Sequence, residues 1–209
     1  MFTQFFTIGL LMLLAVMSPG PDFALVTKNT VLHSRESGFF TALGVALSNL
    51  IHISYCSLGL AFVISNSILL FSLIKYLGAA YLLYLGVTSL LSKPAIHFVD
   101  KKRMQIKKTS LPKVTAFRQG FLCNLLNPKA TLFFLALFTT IIKSETPTVW
   151  VLIFIVEMFV IIALWFFTLT MILSHPKVIK LLEKSEKYIA KILGVFLVSF
   201  GVALALVKQ

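Results

Sequence analysis

Apolar runs recur along nearly the whole of this chain, and each approaches the ~20 residues that a helix needs to cross a hydrocarbon core. Of its 209 residues, 58% are hydrophobic and 12% charged. A soluble domain of this length would carry roughly twice that charge. No stretch is left over for a soluble domain. The reading is an all-α membrane protein with six transmembrane helices, at about 5–31, 39–64, 68–91, 115–142, 149–173 and 189–207. Ser65-Asn66-Ser67 forms a very short turn between the second and third, and 143–148 a polar turn between the fourth and fifth. The first and fourth spans exceed about 40 Å at 1.5 Å per residue, so each is expected to bend or unwind.

The net charge of +12 suggests nucleic acid until the charges are located. Residues 93–118 hold eight Lys and Arg, and residues 174–191 hold five. Both stretches lie between hydrophobic spans, as cytoplasmic loops do under the positive-inside rule. No basic module interleaved with aromatics accompanies them, so no nucleic-acid partner is expected. The loops after spans two and four are short and nearly neutral, while the loop after span one carries Lys28 and Arg35. This bias places both termini outside, in the periplasm of a bacterial inner (plasma) membrane. Residues 1–4 lack the basic start of a signal peptide, so the first span reads as a retained helix.

The two halves resemble each other. Span three reads Lys75-Tyr-Leu-Gly78 and then reaches Gly86; span six reads Lys191-Ile-Leu-Gly194 and then reaches Gly201. One residue of slip separates the glycine pairs. Spans one and four each contain a proline break, at Ser18-Pro19-Gly20-Pro21 and at Asn127-Pro128. Three spans per copy require the second copy to be inverted in the membrane, a hallmark of secondary transporters. The expected layout is a single transporter domain over 1–209, with repeat one at about 1–92, a basic loop at about 93–114 and repeat two at about 115–209.

Proline within a helix removes a hydrogen bond and clashes with the preceding turn. Backbone groups freed inside a bilayer must face protein or a water-lined cavity. Each break also reads as a helix start. Asn127 suits an N-cap with Pro128 in the first helical position, and Gly20 or Ser18 suits a cap before Pro21. Two half-helix N-termini would then converge at mid-membrane with their partial positive charges, a natural site for an α-carboxylate. The bland reading is two proline kinks with packing roles. Ionisable residues mark the same level: Asp22 and Lys129 directly follow the breaks, His52 lies in span two and Glu157 in span five. Charges at such depth face a cavity or a partner. Pro19, Gly20, Pro21, Asp22, Asn127, Pro128 and Lys129 are therefore the candidate substrate-binding residues. Asp22 would take the substrate ammonium and Lys129 its carboxylate, and Asp22, His52 and Glu157 are candidates for carrying protons. The alternatives are an Asp22–Lys129 ion pair that only holds the halves together, and an interior histidine. Lys75 is expected to snorkel toward the outer surface.

With these residues the chain resembles the LysE/RhtB family of amino-acid exporters. The resemblance lies in Ser18-Pro-Gly-Pro-Asp22, the Gly38…Gly44 helix leading to His52, Lys75…Gly78-Ala-Ala-Tyr-Leu-Leu-Tyr-Leu-Gly86, and Gly120-Phe…Asn127-Pro-Lys129. It spans about residues 5–140. It implies efflux of small amino acids or their derivatives, driven by proton antiport, so the partners are the amino acid, protons and the bilayer, with a homodimer left open. No cofactor or metal is expected. Three alternatives remain. A DsbD-like thiol redox carrier needs two cysteines able to meet, and Cys56 and Cys123 do not occupy corresponding positions. An enzyme lacks a metal cluster or a nucleophile–base pair to work with. A channel can also use proline breaks and helix dipoles.

The charge bias has a direct test. Single-cysteine variants across residues 101–113 should resist a membrane-impermeant thiol reagent in intact cells and react after permeabilisation; labelling from outside would overturn the assigned topology.

Overall fold

A computed structural model describes residues 1–91, 109–141, 146–173 and 176–206. The described chain consists of helices α1 (Phe2–Met17), α2 (Pro21–Lys28), α3 (Arg35–Asn66), α4 (Ile68–Leu91), α5 (Lys113–Leu125), α6 (Pro128–Ile141), α7 (Thr148–Ile172) and α8 (Pro176–Leu206), with a π-helical turn at Asn29–His33 after α2. Four of these have stretches long and apolar enough to cross a membrane singly, and two bent pairs bring the number to six. The pairs are α1 with α2, bent by 59°, and α5 with α6, bent by 54°. Both bends fall at the expected prolines. Pro21 and Pro128 each occupy the first position of the second helix, where the missing N–H would be unpaired in any helix.

Two boundaries differ from expectation. The second span starts earlier, at Arg35, where Ser34 Oγ accepts from Ser37 N at 3.0 Å and caps the helix. The sixth starts much earlier. The basic stretch at 176–187, read from sequence as loop, is the first part of α8, whose apolar segment is Tyr188–Leu206. Lys, Leu and Glu are good helix formers, and Pro176 opens the helix, so charge there marks the end of the membrane and not the end of the helix. Between α3 and α4 the turn narrows to Ser67, whose Oγ accepts from Leu70 N at 3.2 Å. The expected loop at 93–114 lies mostly outside the described residues, as does the first half of the turn at 143–148.

Contact registers give the helix directions. Phe2 meets Trp150 and Gly9 meets Glu157, so α1 and α7 run parallel. Gly44 packs on Phe117 and His52 bonds Asn124, so α3 and α5 also run parallel. Ser89 bonds the Ala190 carbonyl, Gly86 packs on Gly194, and Gly201 packs on Leu83 and Ala79, so α4 and α8 are antiparallel. These are the directions of six alternating spans. Spans three and six oppose each other, as inverted copies require.

Small residues set the seams, as they do between helices in lipid. A Cβ on Gly86 would stand 2.8 Å from the Gly194 carbonyl oxygen, and a Cβ on Gly194 would stand 2.8 Å from that of Gly86. The second glycine of the other pair, Gly201, backs onto Ala79 beside Gly78. Gly86 and Gly194 thus meet across this helix pair, while Gly78 packs on Ala136 of α6. Between α3 and α5, Gly120 lies on the Thr41 backbone and Gly44 on the Phe117 backbone. Lys75 corrects an expectation: it is 4% exposed, with its ammonium 5.4 Å from the Tyr76 ring, and does not snorkel.

Gly120→Ala forces backbone apart and should lower unfolding stability in detergent by about 1–3 kcal/mol, as overpacking does. Gly59→Ala meets nothing within 4 Å and should fall within about 0.5 kcal/mol of the parent. Thermal unfolding followed by helix content distinguishes the two; equal midpoints would show that the α3–α5 seam is not close-packed.

Candidate functional site

The two breaks meet in the middle of the bundle. Asn127 is the N-cap of α6, as its sequence position suggests: its Oδ1 accepts from Lys129 N at 3.0 Å. Its Nδ2 donates to Asp22 Oδ2, also at 3.0 Å. One side chain therefore caps the second half-helix and binds the first turn of the other. Asn124, near the end of α5 on the other side of the cut, donates to the same Asp22 oxygen at 3.0 Å. Asp22 Oδ1 is buried without a formed hydrogen bond, and the Cys123 thiol lies beside the carboxylate.

Lys129 does not pair with Asp22. Its Nζ donates to Ser18 Oγ at 2.9 Å and lies over Gly20, whose added Cβ would stand 3.3 Å away. Ser18 ends α1, so the ammonium sits at a helix C-terminus, where the backbone dipole favours positive charge. Among the described residues the one ion pair joins Lys113 to Glu36, 2.9 Å apart on the surface. Of the two residues offered as the cap of α2, the position falls to Gly20. Ser18 accepts from Lys129 and does not cap α2, and Gly20 holds the N-cap position with no side chain to offer.

A cavity of about 60 Å³ opens between the breaks. That is room for about four or five water-sized atoms, the size of an amino acid's charged end. Its lining draws on every span: Ser18, Gly20, Pro21 and Asp22 from the first, Asn49 from α3, Leu85 from α4, Asn124, Asn127 and Lys129 from the fourth, Phe166 from α7 and Leu197 from α8. Phe133 and Phe134 add aromatic walls. Five of the seven candidate residues line it; Pro19 and Pro128 shape the chain beside it.

His52 is buried and one residue removed from the cavity. Its Nε2 lies 3.0 Å from the Asn124 carbonyl oxygen, which can only accept, so Nε2 carries a proton. Its Nδ1 lies 2.6 Å from Tyr55 Oη and 3.2 Å from Thr131 Oγ1. Glu157 is not part of this cluster. It packs against Gly9 on the outer face of α1 and α7, in a shallow apolar groove with Phe5, Leu152, Val156 and Ile161. Asn124, Asn49 and the aromatic walls were not singled out from the sequence. The position of Asn124 three residues before the Asn127 cap was the available signal for the first. Cys56 and Cys123 are free. Cys56 Sγ is level with the Thr131 carbonyl at 3.8 Å, eight residues along the chain from Cys123.

The LysE type translocator family model matches residues 13–208. Over 191 residues the chain is 37% identical to the uncharacterized membrane protein YrhP of Bacillus subtilis, covering 90% of this chain and 91% of that one. It is 30% identical over 198 residues to the leucine efflux protein of Salmonella typhimurium, covering 93% and 91%. It is 28% identical over 203 residues to the uncharacterized membrane protein YahN of Escherichia coli, covering 96% and 87%. No solved structure matches the chain.

Asp22→Ala leaves two amides without their acceptor, which should cost about 1–3 kcal/mol for each group stranded. Asp22→Asn keeps one carbonyl oxygen for both amides and should unfold near the parent temperature. Equal losses in the two variants would show that the charge, not the acceptor, holds the breaks together.

Proposed function

This chain belongs to the LysE type translocator family, and from that premise we propose that it is a secondary transporter exporting small amino acids from the cytoplasm by proton antiport. The observation that carries the reading is the pair of opposite charges facing one cavity without an ion pair between them. Asp22 presents Oδ1, an acceptor without a formed hydrogen bond, to a substrate ammonium. Lys129 and the starts of α2 and α6 present positive charge to the α-carboxylate. The name of the Salmonella relative, a leucine efflux protein, supports an amino acid as cargo.

The rest of the lining bears on the side chain. Phe133, Phe134, Phe166, Leu85 and Leu197 are apolar, and the cavity holds no carboxylate besides Asp22. A cationic side chain would lie there desolvated and unpaired, so the proposed cargo carries an apolar side chain. Two inverted repeats, about 1–92 and 115–209, form one transport unit around this site in the plasma (inner) membrane, with both termini outside. Protonation of Asp22 and binding of the ammonium exclude each other at one carboxylate, which couples efflux to proton entry.

Leucine counterflow in proteoliposomes should occur with the parent and be abolished in Asp22→Asn, whereas arginine should not exchange. Lys129→Gln should weaken binding of leucine more than that of leucinamide, which lacks the carboxylate. Normal counterflow by Asp22→Asn across the pH range would leave Asp22 a structural charge and end the coupling scheme.

A further inference from the structure

The fourth span is cut between α5 and α6, and a helix cut mid-membrane has no covalent stiffness to fix its 54° bend. Something must hold the two pieces at one angle, because Asn124 lies before the cut while Asn127 and Lys129 lie after it, and all three line the cavity. The neighbouring α3 passes the cut unbroken. From it His52 reaches both pieces: Nε2 donates to the Asn124 carbonyl at the end of α5, and Nδ1 meets Thr131 Oγ1 in the first turn of α6. Tyr55, one turn further along α3, closes a triangle, with its hydroxyl 2.6 Å from His52 Nδ1 and 2.7 Å from Thr131 Oγ1.

We propose that His52 is a positioning residue that clasps the α5–α6 break, fixing the bend so that the Asn124 amide is aimed at Asp22. The clasp works through two hydrogen-bonding nitrogens on opposite sides of one rigid ring. The Asn124 carbonyl at the end of α5 lacks its i+4 helical N–H and has lone pairs for two donors. His52 supplies one. Asn127 N also donates to this carbonyl, at 2.9 Å, so the same oxygen is held from both sides of the cut. On the other side the hydroxyls of Tyr55 and Thr131 can each donate or accept, so they engage Nδ1 whether or not it carries a proton. The role assigned to His52 is thus mechanical, and differs from proton carriage. It rests on the proposed export reading only for its consequence in transport.

Spin labels at Arg118 on α5 and Leu135 on α6, in a chain with Cys56 and Cys123 replaced by Ser, span the break by about 25 Å along the chain. The parent should give one narrow distance distribution. His52→Ala should broaden it, and His52→Gln, which keeps a donor and an acceptor near the same places, should restore it. In leucine counterflow His52→Ala should raise KM on the order of tenfold, in keeping with the loss of a positioned hydrogen bond, and His52→Gln should recover most of it. An unchanged distribution in His52→Ala overturns the clasp, and so does equal broadening in both variants, which would make ring packing the cause. If the parent exchanges no amino acid, the export reading fails while the distance measurement still decides the clasp.

Discussion

Asp22 Oδ2, accepting from Asn124 and Asn127, is the contact on which the rest depends. A helix interrupted inside a bilayer leaves polar groups that lipid cannot satisfy. Here each interruption is completed by a side chain from the other. Asp22, in the first turn of α2, takes the amide that caps α6. Lys129, in the first turn of α6, reaches back to Ser18 at the end of α1. Neither broken span is complete alone. The two must sit side by side, and the unbroken helices pack around the pair.

That packing is made possible by glycine. The α3–α5 and α4–α8 seams bring backbone onto backbone at Gly44, Gly120, Gly86 and Gly194, where any side chain would intrude. Close approach aligns α3 with the cut in α5–α6 and brings Leu85 and Leu197 into the cavity wall. The α1–α7 seam is of another kind. Glu157 fills the notch at Gly9 with a flexible carboxylate, on a face that carries no other charged side chain in either helix.

Much of this was legible in the sequence because lipid makes a sharp demand: long apolar runs, prolines that break them, and charges that must be explained. The spans, the two breaks, the Asn127 cap and the company of Asp22 with Lys129 all follow from local rules. What was not legible depends on which side chain faces which. Asp22 and Lys129 sit after equivalent breaks, which left an ion pair open as an alternative, but which neutral side chains hold them could not be read: Ser18 takes the ammonium and Asn124 and Asn127 the carboxylate. Glu157 looked like His52 by depth, but depth carries no azimuth, and its face of α7 turns to α1. The helical start of α8 was hidden because charge was read as the end of a helix, where it marks only the end of the membrane.

The partners chosen by the two charges matter more than their proximity. An Asp22–Lys129 bridge would have neutralised both groups and closed the cavity on itself, since a buried pair gains most by direct contact. Neutral partners do something else. The amides of Asn124 and Asn127 fix the carboxylate by one oxygen and leave its charge, while Ser18 fixes the ammonium and leaves its charge too. Two opposite charges are thereby held in place and apart within one wall, with Asp22 Oδ1 still without a formed hydrogen bond. A zwitterion placed between them would complete both at once, and a molecule with only one of its charges would leave the other stranded. In the proposed reading, discrimination would reside in these neutral residues, because they keep the charged ones from satisfying each other.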